Sequence, residues 1–308
     1  MTTTTRGRTG TAGAAAPIDL PASVRLDDLP DGLSRVVVTT PAASAVVHLQ
    51  GAHVTSWVPA GERDVLWVSR RSAFAPGAPI CGGVPLCYPW FGPHPTDGTA
   101  PLHGLARITP WELESAQESS DGVVLSLTLD TSRLPSSGDH GPALLRYTVT
   151  VGAALTLSLE VTSTGQEPLI FEEAFHTYLA VADVRQVSVR GLEASPSVDR
   201  LTGETIAPTG AALTLHGETD RLLTQPGELV VEDPAGSRLL TVRSTASANA
   251  VVWNPGPVKA AAMADVGDDE WPEMICVETC NVADGRVTVA PGATHTMAAT
   301  ITARALVT

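Results

Sequence analysis

The chain has 308 residues, 43% of them hydrophobic and only 17% charged, so it can bury a sizeable core and is not a disordered protein. Its formal net charge of −14 argues against nucleic-acid and anionic-membrane partners, because both require a cationic surface. No apolar run approaches the roughly 20 residues that cross a bilayer, so we expect no membrane span. We expect a cytoplasmic location.

The first residues of the chain are small and polar, and they lack the continuous apolar stretch of a secretory signal. We predict that residues 1–16 form a flexible tail. The remainder contains no repeat at a fixed period and no interior linker. We therefore predict that residues 17–308 form a single domain.

Alternation of apolar and polar residues with a period of two dominates the chain and predicts β-strands. The clearest examples are residues 125–129 and 155–161, where leucines alternate with serine and threonine. Gly152 precedes the second run and predicts a tight hairpin with the apolar residues before it. Shorter runs of the same kind predict strands at residues 35–40, 45–50, 187–190, 229–232, 239–243, 249–253, 286–290 and 297–303.

Helical periodicity is almost absent from the chain. A short helix is predicted at residues 258–263, and one further helical turn near residues 269–271. A parallel α/β fold needs long crossover helices, and the sequence contains no pattern for them. Many short strands separated by turn residues favour an all-β, antiparallel sandwich or closed barrel with very little helix.

Two segments interrupt the strand pattern. Residues 76–103 are rich in proline and glycine, and residues 253–281 contain an Asn-Pro-Gly-Pro turn and an acidic run at 268–270. Irregular segments of this length in a β domain are usually functional or disordered. The two segments contain aromatic residues, which favour an ordered structure, among them Trp90, Phe91, Trp253 and Trp271.

Three segments carry candidate catalytic side chains. His103 precedes a glycine and is followed by Arg107, while His176 lies in an aromatic run behind two carboxylates. Glu278 lies within an apolar, strand-like run. Burying an unpaired carboxylate costs several kcal/mol, so Glu278 either faces solvent from an edge strand or stands in a functional pocket. Each histidine considered alone is more typical of a hydrogen-bonded core residue than of a catalytic group.

Several common catalytic motifs are absent from the sequence. It contains no GxSxG elbow, P-loop, HExxH or GxGxxG, so serine hydrolases, NTPases, zincins and Rossmann enzymes lose their usual support. The four cysteines match neither a zinc ribbon nor a CxxC redox motif, and we expect buried free thiols at Cys81, Cys87, Cys276 and Cys280. We expect no metal and no cofactor.

In their order along the chain, the separated motifs resemble the D-hexose-6-phosphate mutarotases, the glucose-6-phosphate 1-epimerase branch of the aldose 1-epimerase superfamily. The motifs are ICGGVPLCYPWFGP at 80–93, HGLAR at 103–107, FHTY at 175–178, VWNP at 252–255, GDDE at 267–270 and CVE at 276–278. The resemblance covers roughly residues 35–305. It implies a large antiparallel β-supersandwich of the galactose mutarotase-like type.

The resemblance also implies roles for individual residues. Glu278 matches the general base and His176 the general acid. His103 matches a histidine that holds the sugar, Arg107 an arginine near the phosphate, and Asp199 an aspartate that binds a sugar hydroxyl. Anomer exchange removes the proton from O1 while protonating the ring oxygen O5, and a carboxylate and an imidazole on opposite sides of the anomeric centre can do this without a metal.

Two positions depart from the family pattern. Cys81 stands where the family usually has a phosphate-binding arginine, and Leu102 stands where a polar residue is common. Losing one charge-assisted contact costs about 1.5–3 kcal/mol, or roughly 10- to 150-fold in affinity. Arg70 and Arg71 lie close upstream and are candidate replacements. We therefore expect a weakened or altered preference for the 6-phosphate.

Three alternatives remain open at this point. The first is an aldose 1-epimerase that acts on an unphosphorylated sugar, and the second is a non-catalytic carbohydrate-binding protein on the same scaffold. The third is a metal-dependent hydrolase built from His94, His103 and His176. The leading interpretation is a D-hexose-6-phosphate mutarotase. We expect this enzyme to be a monomer whose only partner is a small sugar or sugar phosphate.

Overall fold

A computed structural model describes residues 18–134, 140–224 and 227–306. The predicted tail at residues 1–16 lies outside the described residues. The first half of the chain forms β1 (Val24–Asp28), β2 (Ser34–Thr39), β3 (Ala43–His48), β4 (His53–Pro59), β5 (Leu86–Cys87), β6 (Glu112–Ser119), β7 (Gly122–Asp130), β8 (Ala143–Val151), β9 (Leu155–Ser163), β10 (Leu169–Phe171), β11 (Glu173–Phe175) and β12 (Tyr178–Ala180).

The second half continues with shorter strands and a single α-helix within the described ranges. The strands are β13 (Ser188–Arg190), β14 (Ser197–Asp199), β15 (Thr205–Ile206), β16 (Leu213–Thr214), β17 (Thr219–Thr224), β18 (Leu229–Asp233), β19 (Arg238–Thr245), β20 (Asn249–Asn254), β21 (Met274–Asn281), β22 (Val287–Val289) and β23 (Thr294–Ala305). The helix α1 (Gly256–Ala262) begins two residues before the predicted one. Short 3₁₀ turns lie at Ala106–Ile108, Thr131–Arg133, Val184–Gln186, Trp271–Glu273 and Ala283–Gly285.

The strands form four sheets in the part of the chain that the structure describes. The largest has nine strands in the order β16-β13-β18-β19-β23-β9-β8-β7-β6. A second sheet has the order β15-β14-β17-β20-β21-β11-β5, and β12 also pairs with β21. A four-stranded sheet, β1 to β4, and the pair β10-β22 complete the fold. The strand pairs are antiparallel, which confirms the predicted all-β class.

The period-two runs behave as predicted because each strand has one face in the core. The leucines of β7 at 125, 127 and 129 are buried, and those of β9 alternate in the same way. Val151 pairs with Leu155, so β8 and β9 form the hairpin predicted at Gly152. No helix in the described ranges is long and apolar enough to cross a membrane.

One hydrophobic cluster joins the four sheets. It includes Val36 of the four-stranded sheet, Leu125 of the nine-stranded sheet, Val252 of the second sheet and Val289 of the two-stranded pair. Sheets that share a core cannot fold as independent units. We therefore propose that residues 17–308 constitute one domain.

Candidate active site

Glu278 lies at the centre of a sheet rather than at an edge. Its strand β21 pairs with β20 on one side and with β11 and β12 on the other. Only 2% of the residue is exposed. Glu278 pairs with Val251 of β20, and both side chains line the same small pocket. The edge-strand alternative is therefore wrong.

His176 lies at the break between β11 and β12, where the chain leaves the sheet for two residues. Its backbone N–H donates a hydrogen bond to the carbonyl of Pro85, at 3.0 Å. Its ring stacks on the ring of Tyr178, with the centroids 4.8 Å apart and the planes 8° from parallel. Trp253 and His103 contact the same ring edge-on. These contacts hold the imidazole in one orientation.

The two candidate catalytic groups face each other. Nε2 of His176 lies 3.6 Å from Oε1 of Glu278. Oε2 of Glu278 is buried and has no hydrogen-bond partner among the described residues. Both side chains line a pocket of about 280 Å³, close to the lower end of the range for small-ligand sites. A buried acceptor without a partner in such a pocket indicates a position that a ligand completes.

The environment shifts the two pKa values in opposite directions. Burial raises the pKa of Glu278 well above its usual range, Asp220 raises it further, and Arg200 opposes the shift. Burial lowers the pKa of His176 well below its usual range. Each shift disfavours the charged form of its group, so the empty pocket favours a neutral carboxyl group beside a neutral imidazole.

His103 reaches the same pocket from a constrained turn. His103 and Gly104 both have positive φ, at 63° and 80°. A Cβ on residue 104 would collide with the backbone carbonyl of Tyr88, so only glycine fits there. The N–H of Gly92 donates to Nδ1 of His103, at 3.2 Å, and burial lowers the pKa of His103 to about 3. The ring is therefore neutral and carries its proton on Nε2, where it can donate to a sugar oxygen.

Glu172 fixes the aromatic wall of the pocket. Its carboxylate accepts hydrogen bonds from the N–H of Phe91, at 2.9 Å, and from the N–H of Ala283, at 2.7 Å. The Phe91 ring meets His103 edge-on, with the centroids 4.8 Å apart. It also lies beneath the guanidinium of Arg200, 5.2 Å from the ring centre. The proline- and glycine-rich segment is therefore ordered around the site.

Three cationic side chains line the pocket. Nε of Arg107 is buried without a hydrogen-bond partner, and no carboxylate of the described residues forms an ion pair with Arg107. Arg200 lies 3.7 Å from Asp220, and Lys259 lies 2.8 Å from Glu218. Arg107 is thus the cation whose charge is least neutralised by the protein. Arg200, Lys259 and Asp220 were not identified from the sequence.

Asp199, the predicted sugar ligand, does not line this pocket. It pairs with Arg221 of β17, which pairs with Val252 of β20, and this row faces away from Glu278. Its carboxylate lies 3.5 Å from the guanidinium of Arg221. Asp220, one residue before Arg221, points to the opposite face and lines the pocket. Of these two aspartates, Asp220 is therefore the one at the pocket, which Asp265 also lines.

The predicted replacements for the missing arginine are held elsewhere. Nε of Arg70 lies 2.7 Å from the buried carboxylate of Glu270, and Arg71 lies 3.1 Å from Asp268. Neither arginine lines the pocket, because the acidic run binds both of them. Cys81 does line it, but burial raises the pKa of its thiol to about 12. Cys81 is therefore a neutral thiol and does not replace the positive charge of an arginine.

The three histidines of the hydrolase alternative are not assembled into one site. Nε2 of His94 lies 3.2 Å from Nε2 of His140, and the Trp90 ring packs against both imidazoles. This pair lines a separate pocket from the one that holds His103 and His176. The geometry therefore gives the hydrolase alternative no support.

The sequence and the structure of this chain both resemble those of known proteins of one family. The sequence profile of the family described as Aldose 1-epimerase matches residues 34–302. A protein of Escherichia coli strain K12, named as a candidate glucose-6-phosphate 1-epimerase, is 39% identical over 260 residues, which cover 82% of this chain and 85% of that protein. A similarly named protein of Cenchrus ciliaris is 32% identical over 276 residues, covering 85% and 82%. The crystal structure of a candidate mutarotase from Salmonella typhimurium aligns with a TM-score of 0.86 at 32% identity, covering 94% of this chain and 97% of that one.

Proposed function

The chain belongs to the aldose 1-epimerase family, and we propose that it interconverts the α and β anomers of a D-hexose 6-phosphate by general acid–base ring opening and reclosure. The observation that carries this proposal is the pair formed by His176 and Glu278, 3.6 Å apart at the pocket. The names of the similar bacterial and plant proteins support the substrate class. No cofactor takes part in the proposed reaction.

The spacing of the pair suits the two oxygens that must exchange protons. O1 and O5 of a pyranose are bonded to the same carbon, so they lie side by side. In our proposal Glu278 removes the proton from O1 while His176 donates a proton to O5, and the C1–O5 bond breaks. The aldehyde then rotates about C1–C2 and the ring closes on the other face. The two groups act from adjacent positions, 3.6 Å apart, rather than from opposite sides of the anomeric centre.

The proton on the pair alternates between two locations during this cycle. Ring opening begins with Glu278 ionised and His176 protonated, and it ends with Glu278 protonated and His176 neutral. The second state is the one that the pKa shifts favour in the empty pocket. It is also the state that closes a ring, because Glu278 then returns a proton to O1 while His176 removes one from O5. Both directions are therefore available to the same pair.

The surrounding side chains have complementary roles in our proposal. Nε2 of His103 and the carboxylate of Asp220 bind sugar hydroxyls, and Phe91 and Trp253 pack against the sugar ring. Arg107 binds the 6-phosphate, since a phosphate satisfies a guanidinium that has no carboxylate partner among the described residues. Arg200 and Lys259 add positive charge at the same pocket. We also propose that the enzyme acts as a monomer, since all of these side chains belong to one chain. We propose a cytoplasmic location, since buried free thiols are typical of cytoplasmic proteins.

The proposed function is tested by NMR saturation transfer between anomers of glucose 6-phosphate and of glucose. We expect catalysed exchange with both sugars. Because Cys81 replaces a phosphate-binding arginine of the family, we expect kcat/KM for the phosphosugar to exceed that for glucose by less than about 10³-fold. A larger ratio would contradict the weakened phosphate preference. Absence of exchange with either sugar would refute the epimerase and favour the carbohydrate-binding alternative.

Asp220→Asn and Asp199→Asn form a matched pair that tests the assignment of the site aspartate. We expect Asp220→Asn to lower kcat/KM, because it removes both a charged sugar ligand and a neighbour of Glu278. The loss of one hydrogen bond from a charged group is about 1.5–3 kcal/mol, or roughly 10- to 150-fold. Asp199→Asn removes the same charge from the opposite face of the sheet, and we expect kcat/KM to change little. The reverse outcome would restore Asp199 as the sugar ligand.

A further inference from the structure

The thiol of Cys276 lies beside His176 and Glu278, and these three side chains could together bind a metal ion. All four cysteines are free and buried, as predicted, and one of them, Cys276, has no role in the proposed reaction. Cys276 and Glu278 are two residues apart on β21, so their side chains share a face of the sheet. Nε2 or Nδ1 of His176, Sγ of Cys276 and a carboxylate oxygen of Glu278 all lie within 4.8 Å of one another.

These spacings are close to those of a tetrahedral metal site. Metal–ligand bonds of 2.0–2.3 Å with tetrahedral angles separate the ligand atoms by about 3.3–3.8 Å. The 3.6 Å between Nε2 of His176 and Oε1 of Glu278 falls within that range. A shift of about 1 Å or less brings Sγ of Cys276 to the same spacing. Three protein ligands leave the fourth position open toward the pocket, as in catalytic zinc sites.

A second observation also points to a ligand at this position. Oε2 of Glu278 is buried and unpartnered among the described residues, although it belongs to a side chain that lines the pocket. An ion that enters through the pocket therefore meets an available carboxylate and imidazole first. The thiol beside them selects the class of ion, since sulfur ligands favour zinc and similar thiophilic cations over magnesium or calcium.

We propose that His176, Cys276 and Glu278 bind a thiophilic divalent cation of the zinc class, and that the bound ion inhibits the enzyme by occupying the catalytic pair. Sulfur binds such an ion as a thiolate, so binding displaces the proton of the Cys276 thiol. Affinity therefore increases with pH. Binding of the ion is independent of the reaction, whereas the inhibition rests on the proposed epimerase function.

Binding is tested on the full chain with Co²⁺ as a spectroscopic probe. We expect a thiolate-to-cobalt charge-transfer band and visible bands of a tetrahedral site, both abolished by an excess of Zn²⁺. We expect Cys276→Ser to remove the charge-transfer band and to weaken Zn²⁺ binding by at least about 100-fold. Cys81→Ser is the matched control, because Cys81 also lines the pocket but is not part of the three-ligand group. This variant should keep the band.

Inhibition is tested by titrating Zn²⁺ into the anomer-exchange assay for each protein, relative to its own metal-free rate. We expect inhibition that is competitive with the sugar and reversed by EDTA, and we expect Cys276→Ser to require at least about 100-fold more Zn²⁺. Equal sensitivity of the wild type and Cys276→Ser would overturn the proposal, as would a cobalt spectrum unaffected by this substitution. A thiolate-dependent cobalt spectrum without any anomer exchange would instead refute the proposed function and leave the metal site intact.

Discussion

Glu278→Gln is expected to lower the catalysed rate of anomer exchange by about 10²–10⁴-fold, the usual contribution of one acid–base group. The carboxamide keeps the shape of the side chain but cannot take the proton from O1. NMR exchange between the anomers of glucose 6-phosphate measures this loss directly. Exchange at a rate near that of the wild type would eliminate Glu278 as the base.

The same substitution is expected to leave the fold intact. Burial raises the pKa of Glu278 and so favours its neutral carboxyl form, which has nearly the same shape as a carboxamide. We therefore expect the free energy of unfolding to change by less than about 1.5 kcal/mol. Urea unfolding followed by circular dichroism measures that change. A much larger loss would mean that the rate reports unfolding, and His176→Gln would then be needed to test the pair.

Arg107→Met is expected to lower kcat/KM for glucose 6-phosphate by roughly 10- to 150-fold, corresponding to about 1.5–3 kcal/mol for a lost charge-assisted contact. Methionine preserves much of the apolar stem while removing the charge. For unphosphorylated glucose we expect little change, since no phosphate is present. The quantity to compare is therefore the ratio of the two kcat/KM values, which cancels any general effect on the pocket.

Arg70→Met serves as the control for this prediction. Arg70 carries the same charge, but its guanidinium is bound to the buried carboxylate of Glu270 and does not line the pocket. We expect the ratio of the two kcat/KM values to remain within about threefold of the wild type, well below the loss from one charged contact. A selective loss of phosphosugar activity in Arg70→Met would show that Arg70 reaches the phosphate after all.

The strands could be predicted from the sequence because their signal is local. Alternating residues such as those at 125–129 and 155–161 each require one buried face, and the turn at Gly152 determines the register of the hairpin. The candidate catalytic pair could be predicted only through the motifs, because His176 and Glu278 are distant in sequence. Alternation alone left Glu278 as either an edge carboxylate or a pocket residue. The central position of β21 in the sheet decides between them.

Asp199, the aspartate predicted to bind sugar, shows where the sequence prediction and the structure differ. Asp199 and Asp220 lie on neighbouring strands, and a one-residue offset in the strand places their side chains on opposite faces. That register depends on how β14, β17 and β20 pair, which no short motif specifies. The same limitation applies to Arg70, whose partner Glu270 lies 200 residues away in the sequence. Long-range pairing therefore determines which charges reach the pocket.

In the proposed mechanism, the close approach of His176 and Glu278 also determines where the protons of the reaction come from. One group accepts what the sugar releases at O1 while the other supplies what O5 needs, and reclosure restores both. The site therefore completes each turnover without exchanging hydrogen ions with its surroundings. We therefore expect the rate of anomer exchange to be independent of buffer concentration, because dissolved proton carriers take no part in the turnover.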